Sequence, residues 1–174
     1  IRDRALVSAV EVANRAVYTQ LPGAGTTLTA ALLMGETAFF VHVGDSRAYL
    51  LHEGEMRLVT RDHSLVGRLV EVGAISAEEA LAHPQRNIVY RSVGQGDDLK
   101  IDWYSLEMPP YSRILLCSDG LWGSVSDREI RQIVEDTPHP QQACVQLVRA
   151  ARRGGSVDDV TVMLVEWGAL NDAS

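Results

Sequence analysis

Between Thr26 and Thr60 the chain carries four apolar, strand-like runs joined by links of two or three residues, and no other feature constrains its fold so tightly. The runs are Thr26 to Met34, Thr37 to Val43, Arg47 to His52 and Met56 to Thr60. Gly35-Glu36, Gly44-Asp45-Ser46 and Glu53-Gly54-Glu55 supply the turn chemistry between them. A parallel return needs a crossover of a dozen or more residues, so these links predict antiparallel neighbours.

Helical spacing brackets this region. Leu6, Val10, Ala13 and Val17 recur on one side of a predicted helix from Asp3 to Gln20, stopped by Leu21-Pro22-Gly23-Ala24-Gly25. Two short helices are predicted from Ser64 to Val72 and from Ser76, where Ser76 and Glu79 form a capping box. The polar, Gly-rich stretch His83 to Asp98 reads as a mobile flap. Strands follow at Lys100 to Leu106 and Ser112 to Ser118, then a helix opened by a second box, Ser126 with Glu129. A further helix runs from Pro140 to Arg153, closed by Gly154-Gly155, and a final strand from Val160 to Trp167. Strands and helices are segregated, which predicts an α+β fold. With 174 residues, 46% hydrophobic and no visible repeat or linker, residues 1–174 read as a single domain.

The net charge of -7 argues against a nucleic-acid phosphate backbone as the main partner. All the basic residues except Lys100 are arginines, and no basic block exceeds Arg152-Arg153, so a polybasic membrane patch is absent as well. Cys117 lies in an apolar run and Cys144 in a helical stretch. Both read as buried thiols of a reducing compartment, which with the lack of a membrane span or leader predicts a cytoplasmic chain. The sequence opens Ile1-Arg2-Asp3-Arg4 without an initiator Met, as if cut from something longer.

Several carboxylates sit at the ends of apolar runs. Asp119 follows the strand ending at Ser118, Asp158 and Asp159 precede the strand at Val160, Asp62 follows Thr60, and Asp45 lies in a turn. Carboxylates converging at a sheet rim suit hard cations such as Mg²⁺ or Mn²⁺. Turn formation explains each aspartate taken singly, and spacing alone does not choose between the two. His42 reads as a satisfied strand histidine, since no zinc spacing surrounds it. Gly23-Ala24-Gly25 and Gly94-Gln95-Gly96 read as turns, because neither lies between a strand and a helix. No phosphate loop or nucleophile elbow is present, and an apolar strand makes Cys117 a poor nucleophile.

Taken in order, Gly25-Thr26-Thr27, Val43-Gly44-Asp45-Ser46-Arg47-Ala48-Tyr49, Asp62-His63-Ser64, His83-Pro84-Gln85-Arg86-Asn87, Leu116-Cys117-Ser118-Asp119-Gly120-Leu121-Trp122 and Asp158-Asp159-Val160-Thr161 form a specific set. The set resembles the metal-dependent protein phosphatases of type 2C, the PPM family, particularly the bacterial members. The resemblance implies two antiparallel sheets sandwiched between helices in an αββα arrangement, and hydrolysis of phosphoserine and phosphothreonine in proteins by a metal-activated water. It implies two Mn²⁺ or Mg²⁺ ions with Asp119 shared between them and Asp158 as the second ligand, and a third, weaker ion at Asp62. Asp119 and Asp158 are then the catalytic carboxylates. Gly44-Asp45-Ser46 is supporting structure, and the flap from His83 to Gly94 governs substrate choice. The partners implied are phosphoproteins made by a Ser/Thr kinase in a signalling pathway.

The chain departs from the family pattern at Asp159, where an Asn is usual, and in carrying no counterpart of the family's N-terminal phosphate-binding Arg, Asp-Gly pair and His. It is therefore expected to lack the N-terminal part of the domain. A competing reading is a catalytically incomplete phosphatase domain that acts as a binding or regulatory module.

Overall fold

The structure is a computed structural model that describes residues 2–168, with side chains from residue 4 onward. In chain order the elements are α1 (Arg2–Gln20), β1 (Leu28–Met34), β2 (Thr37–Val43), β3 (Arg47–His52), β4 (Glu55–Leu58), α2 (Leu65–Glu71), α3 (Ala77–Ala82), β5 (Asp102–Glu107), β6 (Arg113–Cys117), α4 (Asp119–Trp122), α5 (Asp127–Asp136), α6 (Pro140–Arg153) and β7 (Val162–Glu166). They divide between two compact units, each built from two stretches of chain. The first takes the chain up to Ser46 together with Arg61–Leu106; the second takes Arg47–Thr60 and the chain from Glu107.

The first unit holds a sheet of order β1-β2-β5, with β1 and β2 paired antiparallel from Leu28 opposite Val43 to Met34 opposite Thr37. The side of α1 bearing Leu6, Val10 and Val17 packs on Val41, Val43, Val93, Leu28 and Ile101. Four of these valines (10, 41, 43 and 93) are at most 4% exposed, each contributing about 1.5–3 kcal/mol by leaving water. Polar groups enter this core only with partners. Buried Asn14 donates from Nδ2 to the Gly96 carbonyl and accepts the Gly94 N–H on Oδ1, both at 2.7 Å. Buried His42 donates from Nε2 to the Arg61 carbonyl at 3.0 Å, with Nδ1 at 2.9 Å from Thr29 Oγ1.

The second unit holds a sheet of order β4-β3-β6-β7, antiparallel throughout. Its core joins Tyr49, Leu51, Leu115 and Cys117 of the sheet to Leu121, Ile130, Val134, Leu147 and Ala151 of the helices. In α6, Ala143, Leu147, Ala150 and Ala151 fall on one helical stripe, and that stripe is the buried one. Arg113 ties the sheet to the end of α5 by donating to the carbonyls of Val134 (2.6 Å) and Pro138 (2.9 Å).

The antiparallel, segregated α+β reading holds, with one exception among the short links. Gly44-Asp45-Ser46 joins strands of two different sheets rather than a hairpin. The peptide groups of Gly44 are taken by His63, and the Ser46 carbonyl by Thr29 Oγ1 at 3.1 Å, so no ladder forms across that turn. Thr26 leaves β1 to pair with Val93 in both directions (3.0 and 2.8 Å). The flap is likewise stitched down from Ile88 onward, through Leu65 N–H to Ile88 O and Tyr90 N–H to His63 O, both 2.9 Å. The Ser76 capping box forms completely, whereas in α5 only its Ser126 half is present, accepting from Glu129 N–H at 3.2 Å. Cys117 is buried as expected, but Cys144 is only half-buried, and the two form no disulfide.

Burial, reinforced by the neighbouring His63, lowers the His42 imidazole to about 4. A depressed histidine stabilises the fold fully above its unfolded value of about 6.5 and loses that contribution as pH falls toward 4. Between pH 7.5 and 4 the protein should therefore lose about 3 kcal/mol more unfolding free energy than a His42→Gln variant. Urea unfolding at the two pH values measures this; equal losses in the two proteins would contradict it.

Candidate functional site

In the first unit, three of the sequence motifs meet at the backbone. His63 N–H donates to the Gly44 carbonyl at 2.7 Å, and Gly44 N–H donates to His63 Nδ1 at 3.0 Å. Gly44 has φ +112, and a Cβ there would collide with Thr27, whose Oγ1 lies 2.9 Å from Ser46 Oγ. Only glycine meets both demands. Asp62, next to His63, is thereby fixed and buried beside the first turn of α2, where Ser64 Oγ accepts the Gly67 N–H at 3.1 Å.

His63 is itself held from behind. Because Nδ1 accepts from Gly44, the proton of the neutral ring sits on Nε2 and is donated to Asp102 Oδ2 at 3.1 Å. Asp102 also accepts from Arg91 on Oδ1 (2.7 Å) and from the Tyr104 hydroxyl (3.3 Å). Burial, together with the Arg91 charge, outweighs the Asp102 carboxylate and holds His63 below its ordinary value. Burial pushes Asp102 up, but the donated His63 and Arg91 bonds prevail and leave it lowered. Tyr104, desolvated and facing that carboxylate, is pushed up to about 12.

In the second unit the ends of β6 and β7 are pinned by one residue. Ser118 Oγ donates to the Asp159 carbonyl and accepts the Thr161 N–H, both at 3.0 Å, while Ser118 N–H donates to the Thr161 carbonyl at 3.1 Å. Asp119 follows as the first residue of α4, half-buried. Asp158 is exposed and accepts the Asp159 N–H on Oδ1 at 2.8 Å. The two turns touch closely: a Cβ on Gly120 would stand 2.5 Å from the Asp159 carbonyl oxygen.

Residues 2–153 match the sequence profile described as Protein phosphatase 2C. The chain belongs to the protein phosphatase 2C family. Over 167 residues it is 40% identical to the serine/threonine protein phosphatase PstP of Mycobacterium tuberculosis, a match covering 92% of this chain and 32% of PstP. The crystal structure of the Mycobacterium tuberculosis serine/threonine phosphatase PstP/Ppp superimposes with a TM-score of 0.87 at 39% identity, covering 93% of this chain and 71% of that one. A crystal structure of the PstP catalytic domain in complex with two manganese ions matches with a TM-score of 0.83 at 38% identity, covering 92% and 69%. The chain thus spans about a third of the full length of PstP.

Of the three carboxylates the 2C resemblance singles out, Asp119 and Asp158 lie in the second unit on adjoining turns, and Asp62 lies in the first. Among the described residues no three His, Cys, Asp or Glu side chains are arranged together to hold a metal ion. Asp119 and Asp158 still fit a small divalent cation by donor type. Mg²⁺ keeps several of its waters and needs only one or two carboxylates from a protein. The sequence reading missed Arg91, Asp102 and Tyr104 as the support of this 2C motif. The available signal was the alternation in β5, which puts Asp102 and Tyr104 on one face. It also missed α4 and the stacking of Arg47 on Trp122, 3.7 Å from the ring centroid.

The tight fit at Gly120 is directly testable. Gly120→Ala must push the Asp159 turn away from α4, and should cost about 1–3 kcal/mol of unfolding free energy by urea denaturation. A stability equal to the wild type would mean that the two turns are not packed as described.

Proposed function

We propose that the protein hydrolyses phosphoserine and phosphothreonine in phosphoproteins as a metal-dependent phosphatase, with residues 1–174 acting as one phosphatase domain. The observation that carries this reading is the Ser118 clasp, which fixes the Asp119 and Asp158 turns against each other at one sheet edge. Membership of the 2C family and the two manganese ions in the related PstP crystal structure support it.

Asp119 and Asp158 are the residues proposed to hold two Mn²⁺ or Mg²⁺ ions, with Asp62 holding a third, weaker one. When bound, such cations lower the pKa of water toward neutrality and neutralise the phosphoryl oxygens. The chain's own contribution is positional. Ser118 ties the backbone just before Asp119 to Asp159 and Thr161, and α4 continues from that carboxylate as a single turn closed by Gly123 N–H to Asp119 O at 2.8 Å. Gly44 and His63 do the same beside Asp62. No side-chain nucleophile is required, in keeping with Cys117 being buried within β6. The substrates proposed are products of Ser/Thr kinases in cytoplasmic signalling; two cysteines without a disulfide between them suit a reducing compartment, and no helix among the described residues is long and apolar enough to cross a membrane.

The test is phosphate release from a phosphothreonine peptide by the full-length protein with Mn²⁺. Release should stop with EDTA and fall at least about 100-fold in Asp119→Asn, because removing a charged ligand removes stabilisation of developing charge. Near-wild-type turnover in that variant would refute the assignment.

A further inference from the structure

Helix α4 is a single turn of four residues, from Asp119 to Trp122. One turn has no stability of its own, because nucleation fixes several residues for one hydrogen bond. Its position is therefore set by its surroundings: Leu121 is buried in the core, Gly120 packs against the Asp159 turn, and each end is gripped as well. At the N-terminal end the grip is Ser118. At the C-terminal end it is Arg47, whose guanidinium lies 3.7 Å from the centroid of the Trp122 ring.

Arg47 is well placed for this. In the β3–β6 ladder it stands directly opposite Cys117, the last residue before Ser118 and Asp119. Its side chain is oriented by a relay: Arg47 donates to the Tyr49 hydroxyl at 3.1 Å, and Tyr49 donates to Asp127 Oδ1 at 3.2 Å. Burial keeps Tyr49 a phenol, so it can accept from one side and donate to the other. A planar guanidinium can stack on an indole and donate in its own plane at once; a lysine ammonium cannot do both.

We propose that Arg47 is a positioning residue for Asp119, acting through Trp122 and so setting metal affinity. This inference rests on the reading above that Asp119 holds a metal ion. Residues that orient a ligand without touching the metal commonly change affinity 10- to 100-fold. Arg47 touches neither substrate nor cation in this account; it fixes the turn that presents the carboxylate.

The test uses the full-length protein with Mn²⁺ alone, titrated calorimetrically, and in parallel by Trp122 fluorescence in a Trp103→Phe, Trp167→Phe background. Arg47→Lys should bind Mn²⁺ about 10- to 100-fold more weakly while still unfolding cooperatively. Its kcat on a phosphothreonine peptide should return to near wild type at saturating Mn²⁺, with KM for the peptide unchanged. Trp122→Phe, which keeps a ring under the guanidinium, should stay within about threefold of wild type, since Phe still offers a cation–π face. If Arg47→Lys fails to fold, Trp122→Ala carries the same expectation of weakened Mn²⁺ binding. Wild-type Mn²⁺ affinity in the folded variant overturns the proposal. Asp119→Asn separates the two levels. If it loses Mn²⁺ binding while Arg47→Lys keeps it, only this inference fails. If it binds Mn²⁺ like the wild type, the metal-site reading fails first.

Discussion

A chain that leaves one sheet for another must satisfy the peptide groups at the crossing without a ladder, and Gly44 and His63 do this for each other. Each donates one hydrogen bond to the other, and the imidazole replaces the strand that would otherwise pair there. Leaving such a buried group unpaired costs about 1–3 kcal/mol, and the Gly44 N–H depends on the His63 imidazole, with Nδ1 unprotonated, for its partner. Asp102, Arg91 and Tyr104 then hold that ring in one tautomer. The flap backbone at Tyr90 takes the remaining His63 carbonyl, so one residue organises the β2 turn, the start of α2 and the base of the flap.

The second unit solves a similar problem with a hydroxyl. Ser118 is both donor and acceptor between the end of β6 and the start of β7. In both units the residue adjoining the candidate ligand does the holding: His63 beside Asp62, and Ser118 beside Asp119.

Most of the secondary structure was legible because it rests on local rules. The bounds of β2 and β3 follow from their flanking turns, and those of α6 from Pro140, its alanine-rich stripe and Gly154. The capping pair Ser76 and Glu79 could be read directly from its spacing. What escaped depends on distant partners. That Gly44-Asp45-Ser46 changes sheets is decided by His63 and Thr29, and Thr26 leaves its strand because Val93 claims it. The site divides in the same way. Asp62, Asp119 and Asp158 stand in recognisable motifs, whereas Asp102, Arg91 and Arg47 matter only through neighbours that sequence order does not reveal.

Each unit is assembled from two separated stretches of chain, and this shapes how the protein emerges from a ribosome. Strand β3 is made early but pairs with β6, where Arg47 faces Cys117 seventy residues later. At elongation rates of about 5–20 residues per second that interval lasts roughly 4 to 14 seconds, during which one side of an apolar hairpin has no partner strand. Unpaired strand edges of this kind recruit other chains. The β3–β4 hairpin therefore stays without its β6 partner until Arg113–Cys117 has been made, and slow translation between Arg61 and Leu106 would lengthen that interval.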